Sequence, residues 1–173
     1  RKGGYVLDVT HERIAIEASD PEGLSNGCRA LRQLLDPEIE SREKVPDRAW
    51  TVPAVRVRDE PRFEWRGLML DPARGFQPVA AIKSVIELMA LYSMNRLHLH
   101  LTDDQAWCIE IPGYPKLTSD GRCYSRGDIC DLVAYAASRH IMVIPEIDMP
   151  GHTTAAVNAY PQFSCTGAPV ARP

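Results

Sequence analysis

The 173-residue sequence is short of several things that would define its class at once. It has no apolar run near the roughly 18 residues that a membrane-crossing helix needs, so nothing in it reads as a membrane partner. It has no surplus of positive charge: 20 Lys and Arg stand against 23 Asp and Glu, a formal net charge of -3, and the basic residues are scattered rather than striped. Such a chain offers no field for a phosphate backbone, and nucleic acid is not an expected partner. No GxGxxG or GxxxxGK[ST] follows any predicted strand, which counts against the nucleotide-binding open sheets. The five cysteines, Cys28, Cys108, Cys123, Cys130 and Cys165, form no CxxC pair, so a zinc site is not expected. Their odd number leaves at least one thiol unpaired within the chain. Cys108 and Cys123, in one predicted loop, are the first candidates for a disulfide. The start, Arg1-Lys2-Gly3-Gly4, has neither Met nor the apolar segment of a signal peptide, which points to processing or truncation upstream.

What is present changes character near residue 60. Tyr5, Leu7 and Val9 alternate, as do Ile14, Ile16 and Ala18, with polar His11-Glu12 between them, and this pattern predicts a hairpin. Leu24, Cys28, Leu31 and Leu35 recur at helical spacing and predict an amphipathic helix covering one sheet face, limited by Pro37. Residues 37 to 49 read as a surface loop, and Val55 and Val57 as a further short strand. Residues 1–60 are therefore expected to be part of a small α+β domain.

From Arg66 onward apolar runs alternate with helical stretches: Gly67 to Leu70, 78 to 94, Leu97 to Leu101, 127 to 139, and Ile141 to Ile147. Ile82, Val85, Ile86 and Met89 form one apolar stripe, and Ile129, Leu132, Val133 and Ala136 another, each suited to packing on a sheet. Ser125 and Asp128 have the spacing of a capping box. Alternation of this kind implies an α/β architecture with parallel strands, either a barrel or an open sheet.

Chemistry in parallel α/β folds collects at the carboxyl ends of strands. Asp71 follows the first predicted strand, Asp103 and Asp104 the second, and Glu146, Asp148 and His152 the third. A lone carboxylate there is commonly a cap or salt-bridge partner, but five acids and a histidine at three successive ends form a constellation. Adjacent carboxylates need cations or donors around them, since like charges in low dielectric raise each other's pKa. Arg66, Arg74 and His152 are the candidates. His98 and His100 alternate with leucines and should share one face of the second strand. They read as satisfied polar residues inside a barrel, because no third metal ligand can be placed, and no metal or cofactor is expected. Trp107 reads equally as a sugar-stacking ring and as core. Gly151, between Pro150 and His152, suggests a tight turn aiming His152 over the barrel mouth.

WRGLMLDPARGF, NRLHLHLTDDQAW, IPGYPKLT and IPEIDMPGH, in this order and spacing, resemble the β-N-acetylhexosaminidases of glycoside hydrolase family 20. GGYVLDV, RIAIEAS and GCRALRQLL resemble the end of the small domain that precedes the barrel in that family. The resemblance implies a (β/α)8 TIM barrel of which residues 61–173 hold the first three βα units, truncated after the third strand. It implies a retaining, substrate-assisted exo-hydrolase that removes terminal N-acetylglucosamine or N-acetylgalactosamine, in which the substrate's acetamido oxygen attacks the anomeric carbon. An Asp-Glu pair at the end of the fourth strand supplies acetamido orientation and the acid in the family, and no fourth strand is read here. Residue by residue, the resemblance matches Arg66 to the arginine that holds the sugar's 3- and 4-hydroxyls, and Asp103 and His152 to a relay that contacts the acid. Asp71, Asp104, Glu146, Asp148 and Trp107 are expected to support the site. The family commonly has His where this chain has Gly75 and Arg where it has Cys108, departures expected to alter the rim of the sugar subsite. Family members are often exported, periplasmic or lysosomal. The alternatives to a catalytic portion are a noncatalytic sugar-binding or structural fragment, and a complete small α/β enzyme using Asp103 and Glu146.

The partner implied besides an N-acetylhexosaminide glycan is the rest of a barrel, as a second polypeptide or as chain continuation. The isolated 173 residues are expected to associate or aggregate, because an open strand edge and barrel-facing side chains lack cover. Sedimentation of the isolated chain tests this, and a cooperatively folding monomer would contradict it.

Overall fold

A computed structural model describes residues 1–41 and 43–171; Arg42, in the stretch expected to be a loop, and Arg172 and Pro173, at the end of the barrel portion, lie outside the described residues. The chain divides into two compact units, Arg1–Glu64 and Trp65–Pro173.

In the first unit β1 (Tyr5–Val9) and β2 (Ile14–Ala18) form the antiparallel hairpin that the two alternating runs predict, with Leu7 opposite Ile16. β3 (Val55–Asp59) pairs with the other side of β1, giving the order β2-β1-β3. α1 (Pro21–Leu34) starts at Asp20, whose carboxylate accepts from the Gly23 N–H at 2.8 Å and from the Gly3 N–H at 3.0 Å. These bonds hold the Asp20 carboxyl below the usual carboxylate range. The helix faces the sheet differently from the expectation: Leu24 and Cys28 are exposed, and the buried positions are Glu22, Gly23, Asn26 and Gly27. A Cβ at Gly23 would lie 2.3 Å from the Gly4 carbonyl oxygen, and one at Gly27 would lie 2.5 Å from Ile16 Cγ2. The helix therefore packs through backbone and small residues, a close approach that a leucine stripe would prevent. The expected loop after α1 begins with a 3-10 turn at Pro37–Glu40.

The second unit is a parallel sheet with helices on one face. β4 (Gly67–Leu70), β5 (Arg96–His100) and β6 (Met142–Glu146) lie in the order β4-β5-β6, joined by α2 (Val79–Leu91) and α3 (Arg126–Ala137). Ile82, Ile86 and Met89 of α2 and Leu132 and Ala136 of α3 are buried against Leu97 and Leu99 of β5. Each of the Ile, Leu and Met side chains contributes about 1.5–3 kcal/mol of apolar burial, which fixes the helices over the strands. Val133, expected in the stripe, is instead exposed. Ser125 and Asp128 form the capping box, the Asp128 N–H donating to Ser125 Oγ at 3.1 Å and the Ser125 N–H to Asp128 Oδ2 at 2.9 Å. The opposite sheet face carries His98 and His100, in register with Met69 of β4 and with Ile144 and Glu146 of β6. A short helix, α4 (Thr154–Ala159), follows the third strand. No helix among the described residues is long and apolar enough to cross a membrane.

Gly23→Ala is expected to lower the stability of the protein by about 1–3 kcal/mol, since the clash with backbone outweighs the better helix propensity of alanine. Chemical denaturation measures it, and an unchanged or raised midpoint would contradict the close packing of α1.

Candidate active site at the strand carboxyl ends

Because the sheet is parallel, the segments leaving β4, β5 and β6 come out together, and each contributes charge. β4 runs into a turn in which Asp71 Oδ1 accepts from the Arg74 N–H at 2.9 Å while Arg74 Nη1 reaches Asp71 Oδ2 at 2.6 Å. β5 continues through buried Leu101 and Thr102 to Asp103, and the Asp103 N–H donates to the Ala106 carbonyl at 2.9 Å, closing a tight loop. β6 is tied to that loop where the Asp148 N–H donates to Thr102 Oγ1 at 2.9 Å.

Asp103 is the hub. Its side chain is 1% exposed and meets four donors. Oδ2 takes Arg74 Nη2 at 2.5 Å and His100 Nε2 at 2.7 Å. Oδ1 takes the Asp104 N–H at 2.7 Å and His152 Nδ1 at 3.2 Å. Burial alone would raise the pKa of this carboxyl, but these donors and the Arg74 charge overcome it and hold the group below its ordinary value. Asp104 faces elsewhere: its Oδ1 accepts from the Thr154 N–H at 3.0 Å, at the start of α4, and Thr154 holds this carboxyl low as well. The adjacent acids repel each other, and different hydrogen-bond donors, with His152 Nδ1 3.2 Å from Asp103 and 3.8 Å from Asp104, offset that repulsion.

Glu146 joins the two histidines of β5. Its Oε2 lies 2.6 Å from His98 Nε2 and 3.0 Å from His100 Nδ1. The His100 bond comes first among the causes that hold Glu146 below the usual carboxylate range. Burial opposes charging of His100, but the bonds to Asp103 and Glu146 raise its pKa above the ordinary value. The expectation of satisfied polar histidines on one strand face describes this arrangement. The third metal ligand absent from the sequence reading does have geometric candidates. Ligand atoms of His100, Glu146 and Asp148, and of Asp103, Asp148 and His152, lie within 4.8 Å of one another. Both nitrogens of His100 are already turned to carboxylates, so coordination would require breaking a hydrogen bond.

His152 reaches the hub through its own backbone. It has φ 53°, in the left-handed region, whereas Gly151 does not. The turn expected at Gly151 is thus made one residue later, by a residue type that adopts this region more readily than most non-glycines. Its side chain is 53% exposed, with Nδ1 turned inward to Asp103.

Arg66 does not join this cluster. It precedes β4, and its backbone carbonyl accepts from the Asn95 and Arg96 N–H groups at the amino edge of the sheet. Its Nε donates to the Ser93 carbonyl at 2.7 Å. A strand separates it from Asp71 by roughly 15 Å at the ordinary rise per residue. The guanidinium at the carboxyl edge is that of Arg74, and strand direction, legible in the sequence, distinguishes the two: Arg66 enters the strand and Arg74 follows it. Trp107 is buried, its Nε1 has no hydrogen-bond partner among the described residues, and it lines two cavities, one with Ala106 and Asn158 and one with Met149 and Phe163. Cys108 is fully buried and its Sγ lies 3.4 Å from the Pro72 carbonyl, beneath the site rather than on its rim. Burial pushes this thiol up to about 11. Cys108 and Cys123 are not bonded; all five cysteines are free thiols. Gly75 is exposed beside Arg74, where a rim position was expected.

Comparison with known proteins supplies the frame for this geometry. Residues 63–172 match the family model for the glycosyl hydrolase family 20 catalytic domain, and residues 1–60 match that for domain 2 of the same family. A beta-hexosaminidase from Porphyromonas gingivalis is 44% identical, over 95% of this chain and 23% of its own length. One from Akkermansia muciniphila is 43% identical, over 93% of this chain and 34% of its own. The structure of the Streptomyces plicatus N-acetyl-beta-hexosaminidase in complex with Thio-NAglucal superposes with a TM-score of 0.92 at 39% identity, covering 98% of this chain and 36% of that one. With a catalytic-domain match over most of its length, the chain belongs to glycosyl hydrolase family 20, and its second unit is a three-stranded section of the family's barrel. It spans between a quarter and about a third of the length of these relatives.

The site predicts the shape of stability against pH. Asp103 and Glu146, with lowered pKa values, stabilise the fold above the ordinary carboxylate range, near about 4, and the contribution is lost as pH falls through their depressed values. His100, raised, stabilises below about 6.5 and the contribution is lost as pH climbs through its raised value. Urea midpoints are expected to peak between these limits, and the decline on the alkaline side should be reduced in His100→Gln. Identical alkaline limbs would exclude His100 as its source.

Proposed function

We propose that this chain is the first part of the catalytic barrel, with part of the preceding domain, of a retaining, substrate-assisted exo-β-N-acetylhexosaminidase acting on terminal N-acetylglucosamine or N-acetylgalactosamine. The observation that carries the reading is the buried Asp103 carboxylate joining Arg74, His100 and His152 at the carboxyl edge of a family 20 barrel section. Relatives bear names consistent with it, among them a Vibrio harveyi N,N'-diacetylchitobiase and a Vibrio harveyi exo beta-N-acetylglucosaminidase solved in complex with N-acetylglucosamine.

In this mechanism the enzyme needs no nucleophile, because the substrate's acetamido oxygen attacks the anomeric carbon while an acid protonates the departing oxygen. The work left to these residues is orientation and charge. With Asp103 ionised, His152 donates Nδ1–H to it, which leaves Nε2 of the neutral ring as an acceptor facing away from the hub. That tautomer is suited to receive a hydrogen bond from a protonated carboxylic acid and to share its proton as the acid cycles. Arg74, a forked and permanently charged donor, is held by Asp71 and Asp103 with part of its guanidinium exposed, and is assigned the sugar-hydroxyl contact first given to Arg66. Asp104, Glu146 and Asp148 fix the loops that present these groups.

The Asp-Glu acid pair is assigned to sequence outside these residues. The one Asp-Glu dipeptide in the chain, Asp59-Glu60, lies in the first unit. These residues alone are accordingly proposed to be inactive. The proposed partner is the remainder of the barrel, by chain continuation or as a second polypeptide.

In the active protein containing this segment, Arg74→Ala, Asp103→Asn and His152→Ala are each expected to lower kcat/KM by factors of about 10² to 10⁴, as lost positioning and relay contacts do. Arg66→Ala is expected to leave the chemistry within a few-fold and act on stability. Hydrolysis of a chromogenic N-acetylglucosaminide measures all four; equal losses for Arg66 and Arg74, or an unaffected His152→Ala, would sink the assignment. Turnover by the isolated 173 residues would refute the assignment of the acid.

A further inference from the structure

The hydrogen-bonding requirement at His100 goes beyond the Asp103 and His152 pair. This histidine is buried on β5, with one ring nitrogen 2.7 Å from Asp103 Oδ2 and the other 3.0 Å from Glu146 Oε2. A neutral imidazole carries one N–H and one lone pair, and a lone pair facing an ionised carboxylate at that distance is repelled. Two such contacts need a proton on each nitrogen. The groups around it favour the charge: Asp103 from the loop after β5, Asp71 from the turn after β4, and Glu146 and Asp148 from the end of β6. Against them stand Arg74, bound to the same Asp103 oxygen, His98, bound to the same Glu146 oxygen, and His152, on the other Asp103 oxygen.

We propose that His100 is a positioning residue held as the imidazolium between Asp103 and Glu146, a fixed cation that anchors one Asp103 oxygen and leaves the other turned to His152. The inference rests on the relay reading of Asp103 and His152. Its consequence is directional. Oδ2 is anchored by His100 and Arg74, so Asp103 cannot rotate away from His152, and its negative charge is balanced before His152 responds to the acid. Without the His100 cation, Oδ2 loses one of its two anchors and Asp103 is free to turn from His152. Glu146 is the counter-charge of His100, and its substitution should act in the opposite electrostatic sense.

The test uses the full-length enzyme with 15N-labelled histidine. Two protonated nitrogens are expected on His100 throughout pH 5 to about 8, the signal assigned by its loss in His100→Gln. A one-proton ring in that range would overturn the proposal without recourse to any variant. In kinetics, His100→Gln is expected to reduce kcat about tenfold or more with KM within about threefold. His100→Gln combined with Glu146→Gln removes one charge of each sign and should recover part of the lost kcat. A double variant no better than the sum of the singles is what packing alone would produce and would also overturn it. An unaffected His152→Ala beside a doubly protonated His100 would locate the failure in the relay reading instead.

Discussion

A single buried carboxylate organises the carboxyl edge of this barrel section. Asp103 could not remain ionised under its neighbours without compensation, and the compensation comes from three different strand exits: Arg74 after β4, His100 and the Asp104 N–H from β5 and its loop, and His152 after β6. The charge therefore serves as a registration point. Each exit has to adopt the one conformation that delivers its donor, and loops that parallel strands would otherwise leave independent are fixed against each other.

The scaffold beneath is ordinary packing, and that division explains why chemistry can be concentrated above it. Leu97 and Leu99 face the helices while His98 and His100 face the opposite way, so one five-residue strand supplies both core and polar network through its period-two alternation. The same alternation in β6 places Ile144 and Glu146 beside the histidines. Helix packing on one face sets the strand positions, and the hydrogen bonds among His98, Glu146, His100 and Asp103 use that precision on the other.

Much of this was legible in the residues. Periodicity located the six strands and the longer helices to within a few positions, because Ile82, Ile86 and Met89, or Leu7 and Val9, are buried for the reason their spacing suggests. The stripe reading failed for α1, where Gly23 and Gly27 allow contact closer than leucines permit, since hydrophobic spacing is blind to steric approach. At the site, the sequence gathered the acids at strand exits, and strand direction was enough to put Arg66 at the entry of β4 and Arg74 beyond its exit; the match to Arg66 followed the motif rather than that direction. Nor could it show that His152, rather than Gly151, carries the left-handed turn, because histidine and glycine are both admissible there. Cys108 and Cys123 are free thiols although their segments run side by side, the Tyr124 N–H donating to the Cys108 carbonyl at 2.9 Å.

The division of labour between Asp103 and Asp104 bears on how this protein can change length over time. One carboxylate holds side chains at the hub, and the next holds the backbone at the start of α4 through the Thr154 N–H. Their partners after β6, His152 and Thr154, stand two residues apart, so inserting or deleting one residue between His100 and Asp104 would displace both acids from that segment together. The long excursion from Ile109 to Tyr124 is closed at its ends by a parallel bridge and anchored in its middle, where Tyr114 packs on Tyr160 and the Lys116 N–H donates to Tyr160 Oη at 3.2 Å. Insertions at the rim of the barrel are expected beside that anchor, near Gly113 and Gly121 where the backbone stands in open space, while the few residues leaving β5 keep their number.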